Sequence, residues 1–411
     1  MSDVVGRAGR QRIDSVVGLA RDLVRLPSRG GIDDYERVLS CVEGWLRVRG
    51  LPCRRLHDTE VGDVGLLVEI AGGRPGPWWT LDACLDTAPF GDEAAWTFSP
   101  TAGDVLDGWL RGRGAADSKL AASLFCHLAE EVHGRAAELA GGLSVLLDVD
   151  EHTGRFGGAR AFLADERAQT PAGVMIGYPG FDEVVVGGRG LWRARVTIHA
   201  QAGHSGSSRQ VTGAISRAAH FVTLLDAEQL PGPDERFPLP ARASVTAFSG
   251  GAGFSVVPDR VDLNVDVRLT PAFDGEAAAA LVTALVRRLD TDLPAPAPTE
   301  VHHVACWPPF RLSPRDEPAA ALLRAAAARG VRVRAKTAGP SNIGNLLAGR
   351  GVPATAGFGV RYEGLHGIDE RAHLAELPDV YAVYLDAIRD LMAARSASEK
   401  VAVSDHARSG N

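Results

Sequence analysis

The sequence predicts a layered α/β protein carrying a second, inserted unit, and three observations predict it. Strand-like apolar runs alternate with helix-like runs from residue 61 to residue 177, the signature of an α/β layer. Polar residues fall just after those strands, where open α/β sheets hold their ligands. After Gly190 the order changes to β-α-β-β-α-β, the split arrangement of a small independent unit.

The elements follow in order. Residues 9–26 and 33–49 are amphipathic helices, stopped by Pro27 and Gly50. Residues 61–70 and 78–84 are strands, the second apolar enough for burial on both faces. The stretch Gly112-Arg113-Gly114-Ala115-Ala116-Asp117-Ser118-Lys119 leads straight into a helix over 120–132. Asp117 at this junction either caps the helix or holds a cation. Residues 143–149 form a strand ending in Asp150-Glu151-His152-Thr153-Gly154, and residues 174–177 one ending in Tyr178-Pro179-Gly180. The second style comprises strands at 191–199, 243–249, 260–269 and near Val301, with helices at 212–226 and 276–289. Helices at 317–329 and 342–348 and a buried segment at 354–358 resume the first style. Residues 1–190 and 306–411 therefore form one discontinuous domain, with 191–305 inserted. The polar end, residues 396–411, is expected to fray.

With 411 residues, two domains are the prior. A net charge of -7 gives nucleic acid no reason to bind. No apolar run is long enough for a membrane span, and the N-terminal stretch lacks a signal peptide's apolar core. The five cysteines are scattered and show no zinc-ribbon spacing, so a reducing cytoplasm is the expected home.

Five segments taken together resemble a known family: Cys84-Leu85-Asp86-Thr87, residues 112–119, residues 150–154, Ala202-Gly203-His204-Ser205 and Gly364-Leu365-His366-Gly367. The family is the zinc-dependent one of acetylornithine deacetylase, succinyl-diaminopimelate desuccinylase, aminoacylase and glutamate carboxypeptidase. The resemblance covers about residues 10–395 and implies a catalytic α/β domain with an inserted lid that pairs two protomers. It also implies two zinc ions about 3–4 Å apart, bridged by a carboxylate and a water. Asp117 matches the bridging carboxylate and His366 the last metal histidine. Glu151 matches the general base, and Asp86 the carboxylate that orients a metal ligand. His204 matches a lid histidine that reaches the partner's oxyanion. Arg268 matches the arginine that holds a substrate carboxylate, and Ser341 and Asn342 lie in a loop matching a segment beside the substrate.

Three ligand positions depart from the family. Cys84 stands for a histidine, His152 for a glutamate, and Tyr178 for an acidic residue, while Ser255 replaces an asparagine. Cysteine and histidine are good zinc ligands and a neutral phenol is poor. Asp117, His152 and His366 are therefore expected to hold one zinc ion, with a metal-free site as the alternative. The bland readings stand beside these: Cys84 as a small buried hydrophobe, Tyr178 as a filler, His152 as a loop histidine. His302 and His303 read as structural, and Trp78, Trp79 and Trp307 as core or interface residues.

The reading of function is hydrolysis of an amide in an N-acyl amino acid or small peptide with a free carboxylate, by a homodimer. The alternatives are a metal-independent acyl transferase or amide-forming enzyme using Cys84 as nucleophile with His152 or His366 as base, and a relative that only binds ligand.

Overall fold

The computed structural model describes residues 2–208, 211–235 and 237–393, with the side chains of residues 2–8 left aside. The stretch 396–411 lies outside the described residues. The chain divides into two compact units, one of Met1–Val186, Leu312–Lys336 and Val352–Asn411, the other of Gly187–Arg311 and Thr337–Gly351.

The first unit is built on a mixed sheet. Its strands lie in the order Cys53–Asp58, Gly62–Ala71, Ala140–Asp148, Arg74–Cys84, Pro171–Ile176, Ala354–Ala356, Glu183–Gly188. Those from Ala140–Asp148 to Ala354–Ala356 pair in parallel, whereas the outer ones pair antiparallel. Every residue of Ala140–Asp148 is buried, as a central parallel strand requires. Residues after the parallel strands therefore collect along one edge, including Asp86, Glu151, His152 and Tyr178. The helix Leu120–His133 follows the glycine-rich stretch as expected. Its amphipathic counterparts Glu36–Val48 and Leu377–Leu391 each bury one stripe of apolar residues.

Several elements carried too little pattern to be read. The strands Cys53–Asp58 and Glu183–Gly188 and the helix Gly157–Ala164 were missed. So was a separate four-stranded sheet of very short strands, in the order Tyr362–Glu363, Arg371–His373, Trp109–Arg111, Asp104–Leu106.

The second unit has the β-α-β-β-α-β order. Its antiparallel sheet runs Arg242–Ser249, Arg260–Leu269, Gly190–His199, Glu300–Trp307. In Arg260–Leu269 the residues Val261, Leu263, Val265, Val267 and Leu269 are buried in alternation. They pack with Phe221 of Ala214–Asp226 and Leu285 and Leu289 of Gly275–Asp292. Each such burial contributes about 1.5–3 kcal/mol. The alternate residues, ending with Asp266 and Arg268, take the other, polar face.

The sequence pattern had assigned the helix at 342–348 to the first unit, but residues 337–351 cluster with the second. Side-chain bonds to carbonyls explain the difference. Asn345 Nδ2 donates to Pro308 O at 2.7 Å and Arg189 O at 3.1 Å, and Ser341 Oγ donates to Arg189 O at 2.8 Å.

Candidate active site

The small sheet brings Asp117 and His366 together. Trp109–Arg111 runs into the glycine-rich loop and pairs with Arg371–His373, Arg111 opposite Arg371. Arg371–His373 in turn pairs with Tyr362–Glu363 across the loop that carries His366. The outcome is His366 Nε2 at 2.9 Å from Asp117 Oδ2. Glycine is needed at 114, where φ is +83° and a Cβ would fall 2.6 Å from Thr87 Cγ2.

Glu370 fixes the shape of that loop. Its Oε1 accepts the backbone N–H groups of Gly114 and Ala116 at 3.0 Å and of Asp117 at 3.3 Å. Its Oε2 accepts from Arg113 Nη1 at 2.6 Å, and both side chains are only 1% exposed. Lys119 anchors the far end, donating from Nζ to Leu23 O at 3.0 Å and Leu26 O at 2.8 Å. Burial lowers this ammonium to about 8. Sequence reasoning singled out neither Glu370 nor Arg113. The available signal was an acid four residues beyond His366 and an arginine set between two glycines.

Asp86 organises the opposite side. Its Oδ1 accepts the Glu151 N–H at 3.2 Å and its Oδ2 the His152 N–H at 3.0 Å. The His152 ring lies between carboxylates, with Nδ1 at 3.5 Å from both Asp86 Oδ2 and Glu151 Oε2. Its Nε2 stands 3.6 Å from Asp117 Oδ2. Neither ring nitrogen has a hydrogen-bond partner among the described residues, although both are buried. Cys84 Sγ lies 4.0 Å from Asp117 Oδ1, to which Ser118 Oγ donates at 2.9 Å.

Electrostatics separates these groups. Burial raises Glu151 to about 7, with Asp117 and Asp86 adding to it and His152 opposing; that range suits a general base near neutrality. Burial would raise Asp117 too, but His152 and His366 outweigh it and hold the carboxylate below its ordinary range. Against burial, the Asp117, Asp86 and Cys84 side chains raise His152 well above its ordinary range. Burial pushes the Cys84 thiol well up despite His152. A buried, protonated thiol is a poor nucleophile unless a cation draws off its proton. The charge of Asp117, then burial, raises Tyr178 well above the ordinary phenol range, so it stays neutral. Beneath the site, Asp82 and Asp148 are fully buried, and burial raises both.

These atoms suit a divalent cation. The ligand atoms of Cys84, Asp117 and His152 all lie within 4.8 Å of one another, and His152, on losing a proton to an incoming cation, offers one lone pair inside the group. Of the other candidate site residues, four belong to the second unit. Arg268 Nε pairs with Asp266 Oδ1 at 2.7 Å, and its Nη1 lies 3.5 Å from Ser341 Oγ. His204 is exposed on the short strand Gly203–His204, its Nδ1 accepting the Gly206 N–H at 3.0 Å. Asn342 Oδ1 caps the helix Ile343–Ala348 by accepting the Gly344 N–H at 2.8 Å. The side chains of Ser341 and Asn342 are thus occupied by local structure.

Comparison with known proteins supplies the family. Succinyl-diaminopimelate desuccinylase of Cereibacter sphaeroides is 26% identical over 394 residues, covering 92% of this chain and 99% of that protein. The desuccinylase of Rhodospirillum centenum is 28% identical, covering 90% of this chain and 95% of its own length. Among solved structures, a tripeptidase from Staphylococcus aureus matches with a TM-score of 0.74 at 18% identity, covering 92% of this chain and 98% of the other. A dinuclear metal-binding peptidase of Bacillus subtilis matches with a TM-score of 0.68 at 17% identity, covering 93% and 99%. Residues 81–390 match peptidase family M20/M25/M40. The chain belongs to that family, and is by membership an amide-bond hydrolase of a metal-dependent class.

Proposed function

We propose that this protein hydrolyses the amide bond of an N-acyl amino acid or small peptide bearing a free carboxylate, with one zinc ion held at Asp117 and His152. The observation that carries the reading is the buried Asp117 carboxylate, with His366 at 2.9 Å, His152 at 3.6 Å and Cys84 at 4.0 Å. His366 stands at the rim, its side chain 51% exposed. A second ion would need a ligand from the neutral phenol of Tyr178, which supports one ion rather than two. When bound, zinc supplies Lewis acidity, polarising a carbonyl and acidifying water.

The chain's own residues do the rest. Glu151 takes a proton from the attacking water as the oxygen–carbon bond forms. It returns that proton to the amide nitrogen as the carbon–nitrogen bond breaks, giving an amine and a carboxylic acid whose remaining proton passes to the amine or to solvent. Asp86 holds the Glu151 and His152 backbone in place. Arg268 binds the substrate carboxylate, and Arg189 supports that choice. Burial, then the neighbouring guanidinium groups of Arg268 and Arg242, lower the Arg189 pKa against the opposing charge of Asp266, so a substrate carboxylate there would meet a cluster of guanidinium groups.

The lid reading makes residues 191–305 a dimerisation unit whose His204 serves the active site of the other protomer, as an oxyanion donor. Exposed Phe248, Phe254 and Val256 on this unit support a pairing surface. Five free cysteines support a reducing cytoplasm, and no helix among the described residues is long and apolar enough to cross a membrane.

The test is metal content together with hydrolysis of N-acetyl and N-succinyl amino acids and dipeptides. Chelation should abolish hydrolysis and zinc should restore it, while Glu151→Gln should keep the metal and lose activity. An active protein free of metal overturns the reading. Sedimentation showing only monomer at micromolar concentration overturns the dimer.

A further inference from the structure

We infer that Cys84 binds the metal as a thiolate alongside Asp117 and His152, while His366 serves Asp117 as a hydrogen-bond donor. This rests on the metal-dependent reading above and completes its ligand set: a thiolate joins Asp117 and His152, and the last histidine, expected as a ligand from the sequence, stays outside it.

Separations between the side chains carry the argument. Ligand atoms on a tetrahedral zinc ion stand about 3.4–3.6 Å apart, given Zn–S of about 2.3 Å and Zn–N and Zn–O of about 2.0–2.2 Å. His152 Nε2 and Asp117 Oδ2 are 3.6 Å apart, and Cys84 Sγ and Asp117 Oδ1 are 4.0 Å apart. One ligand atom from each of the three residues lies within 4.8 Å of the others, at or a little beyond a ligand spacing. The Cys84 thiol is held to Asp117 only by a long sulfur hydrogen bond. His366 closes to 2.9 Å from Asp117 Oδ2, which is a hydrogen-bond length. It is also the exposed member, whereas the Cys84, Asp117 and His152 side chains are buried.

The surroundings fit a thiolate. His152 turns Nε2 toward Asp117 and Nδ1 toward Asp86, the orientation in which an outer carboxylate steadies a metal-bound imidazole. On binding, the ion displaces the proton of the Cys84 thiol and any proton on His152 Nε2 to solvent. Sγ and Nε2 then each offer a lone pair. The thiolate and the Asp117 carboxylate together balance a divalent charge, which a buried site requires.

Cobalt(II) is the probe, because a thiolate on cobalt gives a sulfur-to-metal charge-transfer band in the near ultraviolet that nitrogen and oxygen ligands do not. The full-length protein should bind one equivalent and show the band. Cys306→Ser, which removes an exposed thiol, should keep it. Cys84→Ser should lose it and bind cobalt more weakly by at least the roughly 10–100-fold that losing an outer partner costs. X-ray absorption at the zinc edge of the unmutated protein is the second measurement, independent of whether Cys84→Ser folds. One sulfur neighbour at about 2.3 Å is expected, and only nitrogen and oxygen neighbours would overturn the inference. Cobalt protein that hydrolyses substrate without the band sinks thiolate ligation and leaves the hydrolytic reading standing. A band lost in Cys84→Ser, in protein that hydrolyses none of the amides, does the reverse.

Discussion

Asp86 grips His152 at two points: its Oδ2 accepts the His152 backbone N–H at 3.0 Å and lies 3.5 Å from the ring Nδ1. The family resemblance places a histidine two residues before this aspartate, where Cys84 stands. An imidazole has nonetheless returned to the same carboxylate, from the strand-end loop that carries Glu151. The arrangement keeps an acid behind a candidate metal ligand although the ligand's position in the chain has changed.

That pairing predicts the behaviour of Asp86→Asn. An amide can accept one of the two backbone N–H groups but presents a donor to the other. The lost bond should cost about 1–3 kcal/mol of stability. Metal affinity should fall further than stability, by roughly 10–100-fold. Chelator competition and denaturant unfolding read the two effects separately. Unchanged metal affinity would show that Asp86 shapes the loop and does nothing for the ion.

Glu370 should matter as much for stability as for geometry. Its carboxylate faces the buried Arg113 guanidinium and three backbone donors of the loop that ends in Asp117. Glu370→Gln removes the charge and leaves Arg113 buried without a counter-ion, which should cost about 3–5 kcal/mol. A shift in the denaturant midpoint measures it. A loss below about 1 kcal/mol, the range of exposed pairs, would show that solvent reaches Arg113.

The same residues show what the sequence could and could not reveal. Asp86, Glu151 and Tyr178 were legible because they follow strands long enough to display a pattern. Asp117 was legible because glycines precede it and an apolar helix follows. The meeting of Asp117 with His366 was not, since Trp109–Arg111 and Arg371–His373 are three residues each, too short for any period to register. Glu370 was invisible for a different reason. Its amide partners begin 256 positions earlier in the chain, and a lone acid carries no mark of a distant donor. The placement of residues 337–351 turned on hydrogen bonds from Asn345 and Ser341 to carbonyls, which no periodicity encodes.

His127 gives the fold a pH dependence away from the active site. Its Nδ1 lies 2.8 Å from Ser123 O, so it donates, and Nε2 lies 2.9 Å from Ser15 Oγ, from which it accepts when the ring is neutral. Burial lowers its pKa to about 4, against about 6.5 in the unfolded chain. Between those values the unfolded state binds more protons, so stability is full above the unfolded pKa and falls with pH toward the folded one. The loss from about pH 7.5 to about pH 5 should be about 2 kcal/mol. Denaturant midpoints at the two pH values should show the drop in the native protein and a shallower one in His127→Gln. Equal drops would assign the acid sensitivity to other groups.

Arg268 offers the sharpest test of the substrate's free carboxylate. Asp266 engages its Nε at 2.7 Å, while Nη1, 3.5 Å from Ser341 Oγ, points along a second direction. A guanidinium can hold both at once because its donors are fixed in one plane. Arg268→Lys keeps the charge but has a single nitrogen, which Asp266 will claim. The Michaelis constant for a free-carboxylate substrate should then rise by about tenfold or more, the worth of one charge-assisted bond, while the turnover number and melting temperature hardly move. Amide-capping the substrate should impose a similar penalty on the native protein and almost none on the variant. A native protein indifferent to capping would remove the carboxylate from the substrate description and leave Arg268 a partner of Asp266 alone.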